Sequence, residues 1–159
     1  MEQFVLYLVI KQIINSINSK FKVSFNDMSI TSEYVIGVYI KGSPTSSYRN
    51  LSTGRLYNYG ARIQVVGQGG RDKAGLMELL DLMSKLRDIV IRAPNTTYSD
   101  IDGVSMADGN IVLGNEGSSL NLTLAQTRLL GEVNFDGVSE QDLPKYSLNL
   151  QTFYFIKED

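Results

Sequence analysis

The chain contains no histidine, no cysteine and no tryptophan, and only three prolines. Without histidine and cysteine there is no zinc site of the usual kind, no Ser-His-Asp or Cys-His nucleophile, no disulfide and no thiol redox chemistry. Catalysis would have to rest on carboxylate, lysine, tyrosine or a hard metal held by oxygen, so an enzyme is not the expectation. Charge of one sign is also lacking. Fifteen basic residues face seventeen acidic ones, a net charge of −2, so no overall positive field exists to hold a phosphate backbone. Long apolar runs are missing as well. The opening FVLYLVI at 4–10 follows Glu2 rather than a basic segment and stops at Lys11. That is too short to span a bilayer and has no small-residue cleavage site, so neither a membrane partner nor an export signal is expected.

The chain does have enough apolar material for a core. At 159 residues and 43% hydrophobic it suits one compact domain over 1–159, burying roughly 70% of the surface its unfolded form exposes. Leu6, Ile10, Ile13, Ile14 and Ile17 recur at helical spacing, which predicts a helix from Gln3 to about Asn18; two of its turns are apolar nearly all round, so it is packed on more than one side or buried inside an oligomer. EYVIGVYIK at 33–41 is β-branched and aromatic on both parities, a strand covered on both faces or paired at an interface. The polar stretch from Gly42 to Gly54 is then a long loop or an extended hairpin arm.

The clearest strand follows. Tyr57, Tyr59, Ala61, Ile63 and Val65 alternate with more polar neighbours, giving one apolar and one wet face. The clearest helix spans 72 to about 90, with Leu76, Leu79, Leu80, Met83, Leu86, Ile89 and Val90 as its stripe, an Asp81/Lys85 pair outside, and Pro94 as its limit. From Asn95 to Asp142 the chain is rich in turn residues between short strand-like pieces at 111–113, 120–124 and 128–135. KYSLNLQTFYFIK at 145–157 predicts a final strand well inside the sheet.

Three patterns carry possible chemistry. VVGQGGRDKAG at 65–75 has the layout of a phosphate loop, with glycines between a strand and a helix. The dinucleotide fingerprint nevertheless fails, because counting from Gly67 its third glycine is Asp72. The Walker pattern fails because Gly75 is followed by Leu76 and Met77. The expectation is a turn in which the glycines adopt positive φ, Asp72 caps the helix, and Arg71 and Lys73 are solvated. Asp100, Asp102 and Asp108 lack calcium-loop spacing and read as turn residues, so no metal ligands are assigned. Tyr48, Tyr57 and Tyr59 beside Arg49, Arg55 and Arg62 have the mix of a single-strand binding platform. Tyr57 and Tyr59 share the parity of Ile63 and Val65, however, which favours core or subunit packing.

SEYVIGVYIKG at 32–42, YNYGARIQVVGQGG at 57–70 running into RDKAGLMELLDLMSKLRDIV at 71–90, LLGEVNFDG at 129–137 and YSLNLQTFYF at 146–155 together resemble the tail terminator and minor capsid proteins of long-tailed bacteriophages. The resemblance covers about two thirds of the chain and contains no catalytic residue. It implies an α+β protomer, with a mixed, mainly antiparallel sheet flanked by an N-terminal helix and a central amphipathic helix. Such protomers form a homo-oligomeric ring, commonly a hexamer, at the head-proximal end of the tail. There the ring caps the tail tube, stops its polymerisation and receives the head completion (stopper) protein, while DNA passes through without specific binding. The implied place is the virion, after assembly in the host cytoplasm, with no cofactor. Residues read as assembly contacts are Tyr48, Arg49, Arg55, Tyr57, Tyr59, Arg71 and Lys73. Another head-tail joining or tail tube ring protein, or a nucleotide or single-stranded nucleic-acid binding module, is the alternative.

Overall fold

The computed structural model describes the backbone of residues 1–27, 33–42, 47–51 and 54–158, and side chains over these ranges except within 47–58. Helix α1 runs Glu2–Ile17, followed by β1 (Lys22–Phe25), β2 (Val35–Gly42), β3 (Ser47–Leu51) and β4 (Gly54–Gln68). Helix α2 runs Lys73–Arg92, followed by β5 (Thr96–Tyr98), β6 (Val104–Ala107), β7 (Asn110–Leu113), β8 (Leu120–Leu129), β9 (Asn134–Val138) and β10 (Pro144–Glu158). The main sheet has the order β1-β2-β4-β10-β8-β5, with β3 added to β4 and β9 added to β10. Among the described residues only β1 and β2 pair in parallel; the other strand pairs are antiparallel. The fold is therefore α+β with a mixed, mainly antiparallel sheet, as the resemblance implies.

Strand alternation assigns the two faces. Ile36, Val38 and Ile40 of β2 share a face with Ala61, Ile63 and Val65 of β4 and with Leu148 and Leu150 of β10, and all eight are buried. Both helices lie on this face. A Cβ on Gly67, the partner of Ile36, would meet Leu79 of α2, and one on Gly42 would meet Gln3 of α1. Valine and isoleucine are modest helix formers, so α1 is held chiefly by packing. Val5, Leu6, Tyr7, Val9, Ile10, Ile13 and Ile14 are all buried, nearly all round over residues 5–10 as the sequence predicts for two turns, while Gln12, Asn15 and Ser16 are exposed. Phe4 and Tyr7 also stack with Phe25 of β1, at ring separations of 5.7 and 4.9 Å. The helix ends where Asn18 turns extended, its amide still donating to the Ile14 carbonyl.

Helix α2 buries Gly75, Leu79, Leu82, Met83, Leu86 and Val90. The sequence stripe is thus displaced: Leu82 is 1% exposed, whereas Ile89, placed on the stripe from spacing alone, is 38% exposed. The reason is geometric. Spacing defines an apolar arc wider than the contact zone, and the tilt of the helix on the sheet selects which edge of that arc is covered. The Asp81 and Lys85 pair forms at 2.9 Å on the solvent side.

β4 and β10 form the centre of the sheet, paired over eleven positions from Lys145↔Gln68 to Phe155↔Asn58. The piece at 120–124 is part of a ten-residue strand that includes Arg128 and Leu129, and 128–135 divides between β8 and β9 at Gly131 rather than forming one strand. β8 carries a bulge opposite Phe153 and Tyr154. The hydroxyls of Thr127 and Thr152 satisfy one another at 2.8 Å inside the core. β6 and β7 form a separate hairpin through Asp108 and Gly109, both at positive φ, the geometry that Asp-Gly supplies to two-residue turns.

Candidate assembly surface

The glycine turn after β4 is a packing joint. None of Gly67, Gly69 and Gly70 has positive φ, contrary to the reading that such angles required them. Their reason is close approach. A Cβ on Gly69 would fall on the Gly75 carbonyl oxygen, and one on Gly70 would meet the Tyr34 phenol, while Gly75 itself rests on the Gly70 backbone. The turn is folded directly against the first turn of α2 and against Tyr34. Asp72 caps that helix as expected, its Oδ1 accepting the Gly75 amide at 2.7 Å. The carboxylate thereby occupies the helix end that an anion would otherwise use.

Charges surround this joint. Arg71 is 70% exposed but pairs with Glu33 at 3.2 Å, so it is not purely solvated. Lys20 pairs with Glu78 at 3.1 Å and lies 4.7 Å from the Tyr34 ring centre, and Tyr34 is edge-on to Phe21 at 5.4 Å. Exposed pairs of this kind contribute only about 0–1 kcal/mol each, so their use is orientation more than stability. Lys73 is exposed and makes no ion pair among the described residues.

Tyr48, Arg49, Arg55 and Tyr57 lie on the β3–β4 hairpin, where Tyr48 is the strand partner of Tyr57 and Asn50 that of Arg55. Their side chains fall outside the described residues. Residues 43–46 and 52–53, part of the predicted contact loop, lie outside them too. Tyr59 is on the helix-covered face and packs against Tyr154 of its own chain at 5.4 Å between ring centres. The predicted contacts therefore fall into separate groups. Arg55 lies near the start of β4 and Arg71 in the turn after its end, so roughly 40 Å of strand at about 3.3 Å per residue separates Arg55 from the turn that holds Arg71.

Sequence reasoning missed the β9 edge. Phe135 and Val138 are 59% and 56% exposed, and Phe135 meets Tyr146 edge-on at 5.7 Å. The signal was present in Gly131, which interrupts the apolar piece at 128–135, and in Gly137 just beyond it; both take positive φ. An apolar hollow of about 590 Å³ lies among Met1, Phe4, Phe25 and Leu113.

The aspartates behave as turn residues. Asp100 Oδ1 accepts from the Ser119 hydroxyl at 3.0 Å, and Asp102 Oδ1 from the Asn115 amide at 2.9 Å. No cluster of three ligating carboxylates occurs among the described residues, and none of their helices is long and apolar enough to cross a membrane.

No protein-family model matches the chain, and no curated protein matches it. Among solved structures, one chain that carries no descriptive name aligns over 100% of this chain and 98% of its own, at 12% identity and a TM-score of 0.39. A chain from the virion of a native gene transfer agent particle aligns over 92% and 91%, at 14% identity and a TM-score of 0.38. Similarity at that level carries no argument about what this chain does.

Proposed function

We propose that the protein is a virion structural protein of a long-tailed bacteriophage. In this reading it is a tail terminator, whose ring caps the head-proximal end of the tail tube, stops polymerisation and docks the head completion protein. The observation that carries the reading is the β3–β4 hairpin. β10 follows β4 only as far as Asn58, so residues 54–57 pair with β3 alone and form a two-stranded ribbon leaving the sheet. A two-stranded ribbon is marginal in water by itself, so a ribbon built onto the centre of a sheet calls for a partner. The order of elements further supports it: helix, strand, arm, long strand, glycine turn, helix and central last strand, in the sequence order the resemblance lists. The exposed apolar edge of β9 supplies a second surface able to pack against a neighbouring copy.

Size-exclusion chromatography with light scattering tests the reading. A closed ring of about six copies of the 17.7 kDa chain is expected, alone or on tail tubes. A strict monomer that also fails to associate with tubes would contradict it.

A further inference from the structure

On the face turned away from the helices, the strands β1, β2, β4, β8 and β10 carry charge of one sign. Lys41 of β2 is the strand partner of Arg62 on β4, Arg62 is the partner of Gln151 on β10, and Gln151 is the partner of Arg128 on β8. These four residues form one straight row across four adjacent strands. Their parity is that of Gln64 and Asn149, opposite to Ile63 and Leu150, so all four lie on the face away from the helices. Lys41, Arg62 and Arg128 are exposed. At about 4.8 Å per strand spacing, the row from Lys41 to Arg128 is roughly 14 Å long.

None of the three cations makes an ion pair among the described residues. Arg128 donates its Nε–H to the Gln151 amide oxygen at 2.8 Å, which ties the guanidinium to its neighbour in the row. No Asp or Glu occupies this face of β1, β2, β4, β8 or β10. Asp27 is the carboxylate that comes near, beside Tyr39, whose phenol is raised first by burial and then by that charge. Like charges placed directly opposite, as Lys41 and Arg62 are, destabilise a sheet. A row that retains this arrangement without counter-charges fits an external polyanion.

Two aromatic side chains complete the surface. Tyr39 stands one row along from Lys41, and Phe153 stands one row beyond Gln151, opposite Gly60, which has no side chain to cover it. Both are half-buried. A hollow of about 450 Å³ lies between Tyr39, Lys41, Arg62 and Gln64. Cations, amides and partly open rings on a sheet are the chemistry that tracks a phosphate backbone and stacks on bases.

We infer that this face binds the backbone of a nucleic acid without reading its sequence, through Lys41, Arg62 and Arg128. The net charge of −2 conceals this, because the acidic residues lie elsewhere on the chain. The row spans about four nucleotide steps of one strand at 3.4 Å each. The inference does not depend on the ring: a monomer that binds nucleic acid supports it and counts only against the ring.

The test is fluorescence anisotropy with a labelled 20-nucleotide single strand and a 20-base-pair duplex (~20 in each case, a length chosen to exceed the row). Binding in the range of roughly 1–100 µM is expected at low salt. Three phosphate contacts predict a loss of about 20-fold for the single strand and about 40-fold for the duplex between ~50 and ~200 mM salt. The triple variant K41Q/R62Q/R128Q should lose most of the affinity and the salt dependence, and K41Q alone should reduce the slope by ~0.7 to ~0.9. Phe153→Ala should weaken the single strand more than the duplex, and Lys85→Gln on the helix side should change nothing. Melting of each variant confirms folding. Absence of binding at low salt, or an unchanged slope in the folded triple variant, overturns the inference. A triple variant that shifts the oligomeric state while the parent binds no oligonucleotide overturns it too, and assigns the row to contact between copies.

Discussion

Gly70 lies against Tyr34 so closely that a methyl group on its Cα would meet the phenol oxygen at 2.5 Å. The same glycine supports Gly75 on its other side, so the turn, the start of β2 and the first turn of α2 are joined at one point. Gly70→Ala should therefore destabilise by roughly 1–3 kcal/mol, the usual cost of overpacking. Because the φ angle is not at fault, Tyr34→Ala in the same chain should recover part of the loss, which urea melts of the single and double variants measure.

Asp72→Ala removes the acceptor of the Gly75 amide and should cost about 1 kcal/mol. Binding of ATP or inorganic phosphate should be equally absent before and after the change. A phosphate compound that bound the parent and was lost in Asp72→Ala would reverse the assignment of this turn as architecture.

Leu82 and Ile89 separate packing from pattern. Leu82→Ala should cost about 2–5 kcal/mol, since the side chain is 1% exposed in the core. Ile89→Ala, on a residue 38% exposed, should stay below ~1 kcal/mol. A larger loss for Ile89→Ala than for Leu82→Ala in chemical denaturation would mean that α2 packs by the face that spacing alone suggested.

Alkaline pH should destabilise the fold. Burial, then the charges of Glu2 and Tyr59, raise the Tyr154 phenol above its ordinary 10.0, and burial also raises Tyr7 and Tyr98. A raised folded-state value means that the native chain holds these protons more tightly than the unfolded chain does. Their contribution is full below pH ~10 and is lost as pH rises from there through the folded values. Melting temperature should fall above pH ~10, and Tyr154→Phe should lessen that fall.

The elements with strong periodicity were legible in the sequence: α1, α2, β4 and β10 stand where their patterns put them, and the Asp72 cap follows from local chemistry alone. What could not be read depended on the third dimension. The glycines at 67–70 looked conformational because tight approach between Gly69 and Gly75 is invisible along the chain. β5 and β6, with three and four residues, are too short to show a period. The basic row was hidden because Lys41, Arg62 and Arg128 are far apart in sequence and meet only through strand register. Among the assembly residues, Tyr59 was correctly given the parity of Ile63, yet only register reveals that Tyr154 of the same chain is the ring it packs on.

Electron microscopy of tail tubes polymerised from the tube protein, with and without this chain, tests the central claim most directly. Tubes formed with it should stop growing and carry a ring of added density at one end. Tubes that lengthen equally in both samples and show no added density would contradict the tail terminator assignment.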